Sequence, residues 1–371
     1  MLTRYTLMGW SPMLRTGGTA EPSFADWAAT RFPRTRYQGS KRKLAGAILA
    51  RLGDLDFTTV LDAFGGTGAV AHAFKCAGKA VTYNDILAFN HQIGTALIEN
   101  DRVRLEPEEI AAVGRRQPAV TYGDVVERHF DGIYFTREEN RWLDTAAGNI
   151  RRMPCRFKRA LAWFALFQAA MIKRPYNLFH RCNLYMRTAD VERRFGNKVS
   201  WDRSFAEHFN TFAAEANEAV VDGGRTCLAV CRDALRIEPR FDLVYVDPPY
   251  INAAGIGVDY RDFYHFLEGL VVYEQWPAMI DGSSRHRRLI RVRDPWSDRG
   301  TCHDVFRRLF DRFRTSTLVV SYRNDGIPSV EELASMLGAV KPRVRVLEGG
   351  RYQYALSKNR RTRDVLLIGE D

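Results

Sequence analysis

Two stretches of the chain gather groups that suggest a reaction and a ligand. The first is Asp247-Pro248-Pro249-Tyr250, directly after the apolar run Leu243-Val244-Tyr245-Val246. The run reads as a buried strand, and two prolines that cannot donate to a sheet ladder must end it at Asp247. Past the strand stand an acceptor carboxylate, two stiff peptides with free carbonyls and an exposed aromatic ring. The second stretch is Gly66-Thr67-Gly68-Ala69-Val70-Ala71, a G-x-G-x-x-A turn between a strand and a helix, with Asp85 nineteen residues after Gly66. Glycines there let a ligand approach the backbone, and an acid at the end of the next strand accepts hydrogen bonds from ribose hydroxyls. That describes a nucleoside cofactor and leaves NAD and S-adenosylmethionine both open. Asp62, placed ahead of the turn, tips the balance: a pyrophosphate avoids such an acid, whereas the ammonium of S-adenosylmethionine meets it.

The elements that must position these residues alternate. Thr58 to Phe64 reads as a strand, Gly65 to Gly68 as a tight turn and Ala69 to Ala77 as a helix. A strand from Ala80 to Tyr83 comes next, and then a helix to about Asn100. This is a βαβ unit, which implies a parallel sheet with a right-handed crossover. Upstream, Ser40 is a candidate N-cap for a helix running to about Leu52. From 101 to 225 the alternation breaks. Thr136-Arg137-Glu138-Glu139 is a capping-box match, Phe157 to Ile172 is apolar nearly all round and so predicts a buried helix, and Ser204 to about Val220 is helical again. Alternation resumes with strands at Cys227–Cys231, Phe241–Val246 and Thr317–Ser321 and helices at 262–275, 303–313 and 330–337. Val344–Leu347 and Val365–Ile368 complete the sheet as a hairpin.

Charge is unevenly distributed. The net charge is +11, and between Arg151 and Arg203 thirteen Lys and Arg face three Asp and Glu. A basic, aromatic-interleaved stretch is the electrostatic footprint of a polyanion partner. Two further basic clusters, Arg285 to Arg293 and Lys358 to Arg363, flank the sheet and are candidate phosphate clamps. The longest uncharged apolar stretch, Ala160 to Ile172, is too short to span a bilayer, and no secretory leader opens the chain. Six scattered cysteines show no metal-ligand spacing, and Cys227 and Cys231 are expected to be buried thiols in a reducing cytoplasm. Residues 1–30 suggest no role.

Taken in order, Tyr37-Gln38-Gly39-Ser40-Lys41, then Asp62-Ala63-Phe64-Gly65-Gly66-Thr67-Gly68, then Asp85 and Asp247-Pro248-Pro249-Tyr250, the motifs resemble those of the S-adenosylmethionine-dependent DNA adenine-N6 methyltransferases of the DNA adenine methylase-like (D12) class. The likeness extends to Lys173–His180 and to Val319–Gly326. It implies a Rossmann-like α/β fold with a seven-stranded methyltransferase sheet: a catalytic domain of residues 31–100 and 226–371, with an inserted, mostly helical target-recognition lobe at 101–225. It implies S-adenosyl-L-methionine as cofactor, double-stranded DNA as partner and, for a modification enzyme, a companion restriction endonuclease. Tyr37 and Lys41 would cover the cofactor; Asp62, Phe64, Gly66 and Gly68 would cradle its methionine end; Asp85 would take the ribose; Asp233 would meet the adenine ring amine, although Ala234 replaces the aromatic that commonly follows. Asp247 and the Pro248 carbonyl would accept the N–H bonds of the target amine, localising its lone pair for in-line methyl transfer, and Tyr250 would stack on a flipped base. Lys173, Arg174, Arg181 and Arg187 are candidates for phosphates, and Asn177, Asn183 and Tyr185 for base edges. N4-cytosine and RNA adenine methylation, a non-catalytic DNA-binding module and a nicotinamide oxidoreductase are the competing readings.

Overall fold

The computed structural model of the chain describes residues 7–9, 32–191, 198–351 and 363–371. Its strands, in chain order, are β1 (Leu7–Gly9), β2 (Thr59–Asp62), β3 (Ala80–Asp85), β4 (Leu228–Cys231), β5 (Leu243–Val246), β6 (Ile251–Asn252), β7 (Thr317–Arg323), β8 (Gly326–Ile327), β9 (Arg343–Arg351) and β10 (Arg363–Glu370). Seven of them form the expected sheet in the order β9-β10-β7-β5-β2-β3-β4, parallel except for β10, which runs antiparallel to both neighbours. β1 adds an eighth strand beside β9, in parallel register from Leu7↔Val346 to Gly9↔Glu348, so three residues of the stretch that suggested no role extend the sheet edge. The loop joining β9 to β10, with Lys358 to Thr362 of the second basic cluster, lies outside the described residues.

Period-two burial builds the core. Leu243 and Tyr245 enter one apolar cluster and Val244 and Val246 the other, because successive side chains of a strand point to opposite faces. β5 is buried on both sides, as a central parallel strand must be. Helices Cys302–Arg312 and Val330–Gly338 cover one face. Helices Ala69–Cys76, Ala88–Gly94, Arg156–Ile172 and Phe205–Ala219 cover the other. Helix Arg156–Ile172 is buried from Ala160 to Met171 and shares one continuous core with the sheet, so the segment 101–225 is welded to the α/β body by apolar packing. The expected capping box of that segment forms, Thr136 with Glu139, and two more stand beside it, Glu106 with Glu109 and Ser204 with Glu207. The helix expected over 262–275 breaks at Tyr264, whose hydroxyl accepts from the Gln38 amide at 2.7 Å and whose ring stacks on Tyr37. Of the cysteines, Cys227 is buried as expected, whereas Cys231 is exposed at the end of β4.

Strand order reverses between β2 and β5: β2, β3 and β4 proceed in one direction, and β5 and β7 in the other. A cleft opens at such a switch point, beyond the carboxyl ends of the strands. The glycine turn enters it because the ring of Tyr83 lies beneath. That ring is fully buried, and its hydroxyl reaches the carbonyls of Gly66 and Asn90 at 2.7 and 3.0 Å. A Cβ on Gly65 would stand 2.0 Å from the ring, so Gly65→Ala must displace it. We expect a loss of about 1–3 kcal/mol in urea denaturation, the cost of overpacking a filled site.

Candidate active site

The switch-point cleft holds a cavity of about 240 Å³. Tyr37, Lys41, Asp62, Phe64, Gly66, Asp85, Asp233 and Asp247 all line it, so residues spread over more than two hundred positions converge. Gly68 stands behind the lining and makes the turn with a φ of 76°, which glycine adopts without strain.

The three carboxylates at the ends of β2, β3 and β5 are each held differently. Asp85 Oδ2 accepts from the Gly66 amide and from Asn90 Nδ2, both at 3.0 Å, and Oδ1 accepts from the Leu87 amide at 2.9 Å. A carboxylate offers about four acceptor positions, so roughly one remains on Oδ1 for a ligand hydroxyl. Burial raises the Asp85 pKa to about 6, against the opposing effect of these donors. Asp247 is bound by Lys41 Nζ at 2.9 Å; burial pushes its carboxyl upward and the ammonium pulls it back. Asp62 is buried, and its Oδ1 has no hydrogen-bond partner among the described residues. Burial first and the Asp247 charge second hold it well above the usual carboxylate range.

The N-terminal motif closes the cavity. Ser40 Oγ lies 3.2 Å from Thr67 Oγ1, which links it to the glycine turn. Tyr37 stacks on Tyr264 at 4.5 Å and on Tyr260 at 5.5 Å. Phe64 meets Trp296 edge to face at 4.8 Å. Asp233 caps a short turn by accepting from the Leu235 amide at 3.0 Å. Several lining residues carried no sequence signal. Ile86, 70% exposed after Asp85, offers an apolar surface. Glu268 accepts from the amides of Ala88 and Phe89, both at 3.0 Å, and so braces the turn behind Asp85. Tyr260 opens a four-residue helix and Trp296 stands in an irregular segment, both too short or irregular for periodicity to report.

The structure corrects two expectations. Tyr250 is not an exposed aromatic: it is 4% exposed, because Ile251 pairs with Ile327 and draws the chain back onto the sheet. Its ring meets Tyr322 edge to face at 6.4 Å and lies under the Arg323 guanidinium at 4.9 Å. Pro248 is likewise buried, and neither residue lines the cavity. The second correction concerns the basic segment, in which Lys173, Arg174 and Arg187 are buried and point inward. Lys173 pairs with Glu139 at 2.9 Å and donates to the Trp201 carbonyl at 2.8 Å. Arg187 pairs with the same carboxylate at 2.6 Å. Burial would raise Glu139, but Arg187 and Lys173 more than offset it and hold it low. Arg174 lies over the Tyr134 ring at 4.3 Å, donates to the Arg181 carbonyl at 2.8 Å and bonds Asn183 Oδ1; burial lowers its pKa to about 9. Lys173, Arg174, Asn183 and Arg187 are thus spent on the interior. Arg181 and Tyr185 are exposed, and Asn177 is half-buried beside the exposed Tyr176, both with positive φ. Cys182 Sγ reaches the Arg285 carbonyl at 3.0 Å, which ties this surface to the segment whose Val292 and Arg293 reach the cavity rim.

A parallel sheet with one reversed strand, a glycine turn at its switch point and an acid on each flanking strand define the class of the protein, an α/β enzyme. Residues 37–271 match the D12 class N6 adenine-specific DNA methyltransferase family, and the chain belongs to it. It is an adenine-specific DNA methyltransferase. It is 28% identical over 335 residues to the Type II methyltransferase M2.HphI of Haemophilus parahaemolyticus, covering 86% of this chain and 91% of that protein. It is 24% identical to Modification methylase LlaI of Lactococcus lactis subsp. lactis and 23% identical to Modification methylase StsI of Streptococcus sanguinis, covering 81% of this chain in each case. The match spans only 48% and 46% of those two proteins. Among the described residues, no helix is long and apolar enough to cross a membrane.

The pKa of Asp85 makes a signed prediction. A ligand whose hydroxyl bonds the ionised carboxylate should bind more weakly as the pH falls through about 6. Calorimetric titration with adenosine should show that decline, and Asp85→Asn should flatten it. Between about pH 4 and 6 the folded chain holds a proton that the unfolded chain has released, so this group lowers stability as the pH rises across that window.

Proposed function

We propose that the chain transfers a methyl group from S-adenosyl-L-methionine to N6 of an adenine flipped out of double-stranded DNA, within a sequence-specific modification system that includes a companion endonuclease. One observation carries this reading: a single cavity is lined both by the glycine turn with Asp62 and Asp85 and by Asp247. The donor set fits the cofactor. The buried Asp62 Oδ1, unpartnered among the described residues, suits an ammonium; the last acceptor of Asp85 suits a ribose hydroxyl; and the exposed face of Ile86 suits a ring. Asp233 stands at the same mouth for a ring amine.

When bound, the cofactor supplies an electrophilic methyl group on a sulfonium. The chain's own residues do the rest. Asp247 and the Pro248 carbonyl accept the N–H bonds of the exocyclic amine, which draws its lone pair out of the ring and stabilises the charge that develops. Tyr37, with the rings stacked behind it, screens the mouth from water. Tyr250 backs the amine site from beneath and is the candidate stacking face for the flipped base. Flipping costs a few kcal/mol, which phosphate contacts and stacking offset.

Residues 31–100 and 226–371 form the catalytic part in this proposal, and 101–225 the reading part. The reading surface is narrower than the basic segment as a whole: Arg181 contacts phosphate, Asn177 and Tyr185 reach bases, and Lys173, Arg174, Asn183 and Arg187 shape the platform beneath them. Asp247→Ala should lower methyl transfer at least 10²-fold, as loss of a charge-stabilising group does, with cofactor affinity retained in calorimetry. Normal turnover in that variant would overturn the assignment. Arg181→Ala should weaken binding to all sequences alike and reduce the slope of log affinity against log salt by about one. Arg174→Ala, by contrast, strips partners from buried carbonyls and should cost roughly 2–3 kcal/mol of stability in urea denaturation.

A further inference from the structure

Asp364 is a buried acid of β10 that no motif includes. It is 3% exposed, and its Oδ1 lies 3.6 Å from Lys41 Nζ, the ammonium that also binds Asp247 at 2.9 Å. Its placement is specific. β10 pairs with β7 in unbroken register through Asp364↔Arg323, but its ladder with β9 slips between Arg363 and Val365. A bulge at one residue re-aims that residue's side chain, and bulges gather beside active sites. Here the slip falls on Asp364, whose carboxylate turns to the sheet's carboxyl-end mouth. Burying a second carboxylate near Asp247 is unfavourable in itself, so a structural purpose alone would be served better by an amide or an apolar side chain.

We propose that Asp364 is a positioning residue for methyl transfer: it shares the Lys41 ammonium with Asp247 and takes it over when the target amine arrives. This rests on the assignment of Asp247 as the amine acceptor. Without a second anchor, Lys41 would sit wholly on Asp247 and occupy the lone pairs that the amine must meet. With Asp364 within reach, a small movement of Nζ releases Asp247 while the ammonium stays paired. No proton needs to move. Among the described residues, the titratable groups facing Asp247 are Lys41 from the N-terminal motif, Asp364 from β10, Asp62 from β2, and the buried phenols of Tyr245, Tyr250 and Tyr260. Burial holds those three phenols protonated, so the carboxylates and Lys41 set the local charge.

Asp364→Asn and Asp364→Glu test this in the full chain, with methylation of mixed-sequence DNA followed from pH 5 to 9 and S-adenosylmethionine affinity measured by calorimetry. D364N should lower kcat roughly 10-fold, as small misplacements of a reacting group do, and leave cofactor affinity unchanged. Removing a negative neighbour lowers the pKa of Asp247, so the acid limb of kcat should move to lower pH in D364N and return towards its wild-type position in D364E. An unchanged kcat and limb in D364N would overturn the proposal. So would equal loss of cofactor affinity and kcat without recovery in D364E, which marks a merely structural residue. If D364N does not fold, D364S is read in the same way; failure of both while D364E folds would assign Asp364 to stability alone. A wild-type chain that methylates no adenine would instead sink the underlying assignment.

Discussion

Three strands of the sheet end in carboxylates at one mouth, and negative charge buried side by side is the constraint on which the site depends. Each acid meets it differently. Asp85 is held by backbone amides of the glycine turn and of the following helix, Asp247 by the Lys41 ammonium, and Asp62 Oδ1 by no polar group among the described residues. Ionised carboxylates in an apolar setting are costly unless something neutralises or bonds them. The site is therefore poised for ligands that bring hydrogen-bond donors and positive charge.

The fold creates that mouth because strand order reverses between β2 and β5. Helices must then leave the sheet on both sides of the break, and the space between their first turns cannot fill. Tyr83 carries the glycine turn over the sheet edge, and Gly65 is small because the ring lies against it. The proline pair after β5 stops that strand at the same height, so Asp247 faces the turn and does not continue the ladder. Lys41 then crosses the mouth from the N-terminal motif, which makes the two halves of the site one electrostatic unit.

The basic segment shows how charge in a composition differs from charge on a surface. Its net excess is real, yet Lys173, Arg174 and Arg187 turn inward to Glu139, to aromatic faces and to loop carbonyls. Guanidinium groups suit this because their planar forks satisfy several carbonyls while stacking on a ring. The outcome is a stiff platform that presents Arg181, Tyr176 and Tyr185 outward. Its link through Cys182 to the 285–293 segment connects it to the cavity rim.

The order of the seven main strands, the glycine turn, the acids at strand ends and the Thr136 capping box were legible in the chain before it folded. Each obeys a local rule: alternation of side chains, the φ that glycine permits, the missing donor of proline and the acceptor that a helix start requires. The family was legible too, because its motifs stand in a fixed order. Features that depend on partners distant in the chain were settled by packing. Pairing of β6 with β8 buried Tyr250, and the cations were divided between interior and surface. Lys41 came to lie between Asp247 and Asp364, each more than two hundred residues away from it. Burial and ion pairing are properties of neighbours in space, and no local pattern around Asp364 distinguishes it from a surface acid on an edge strand.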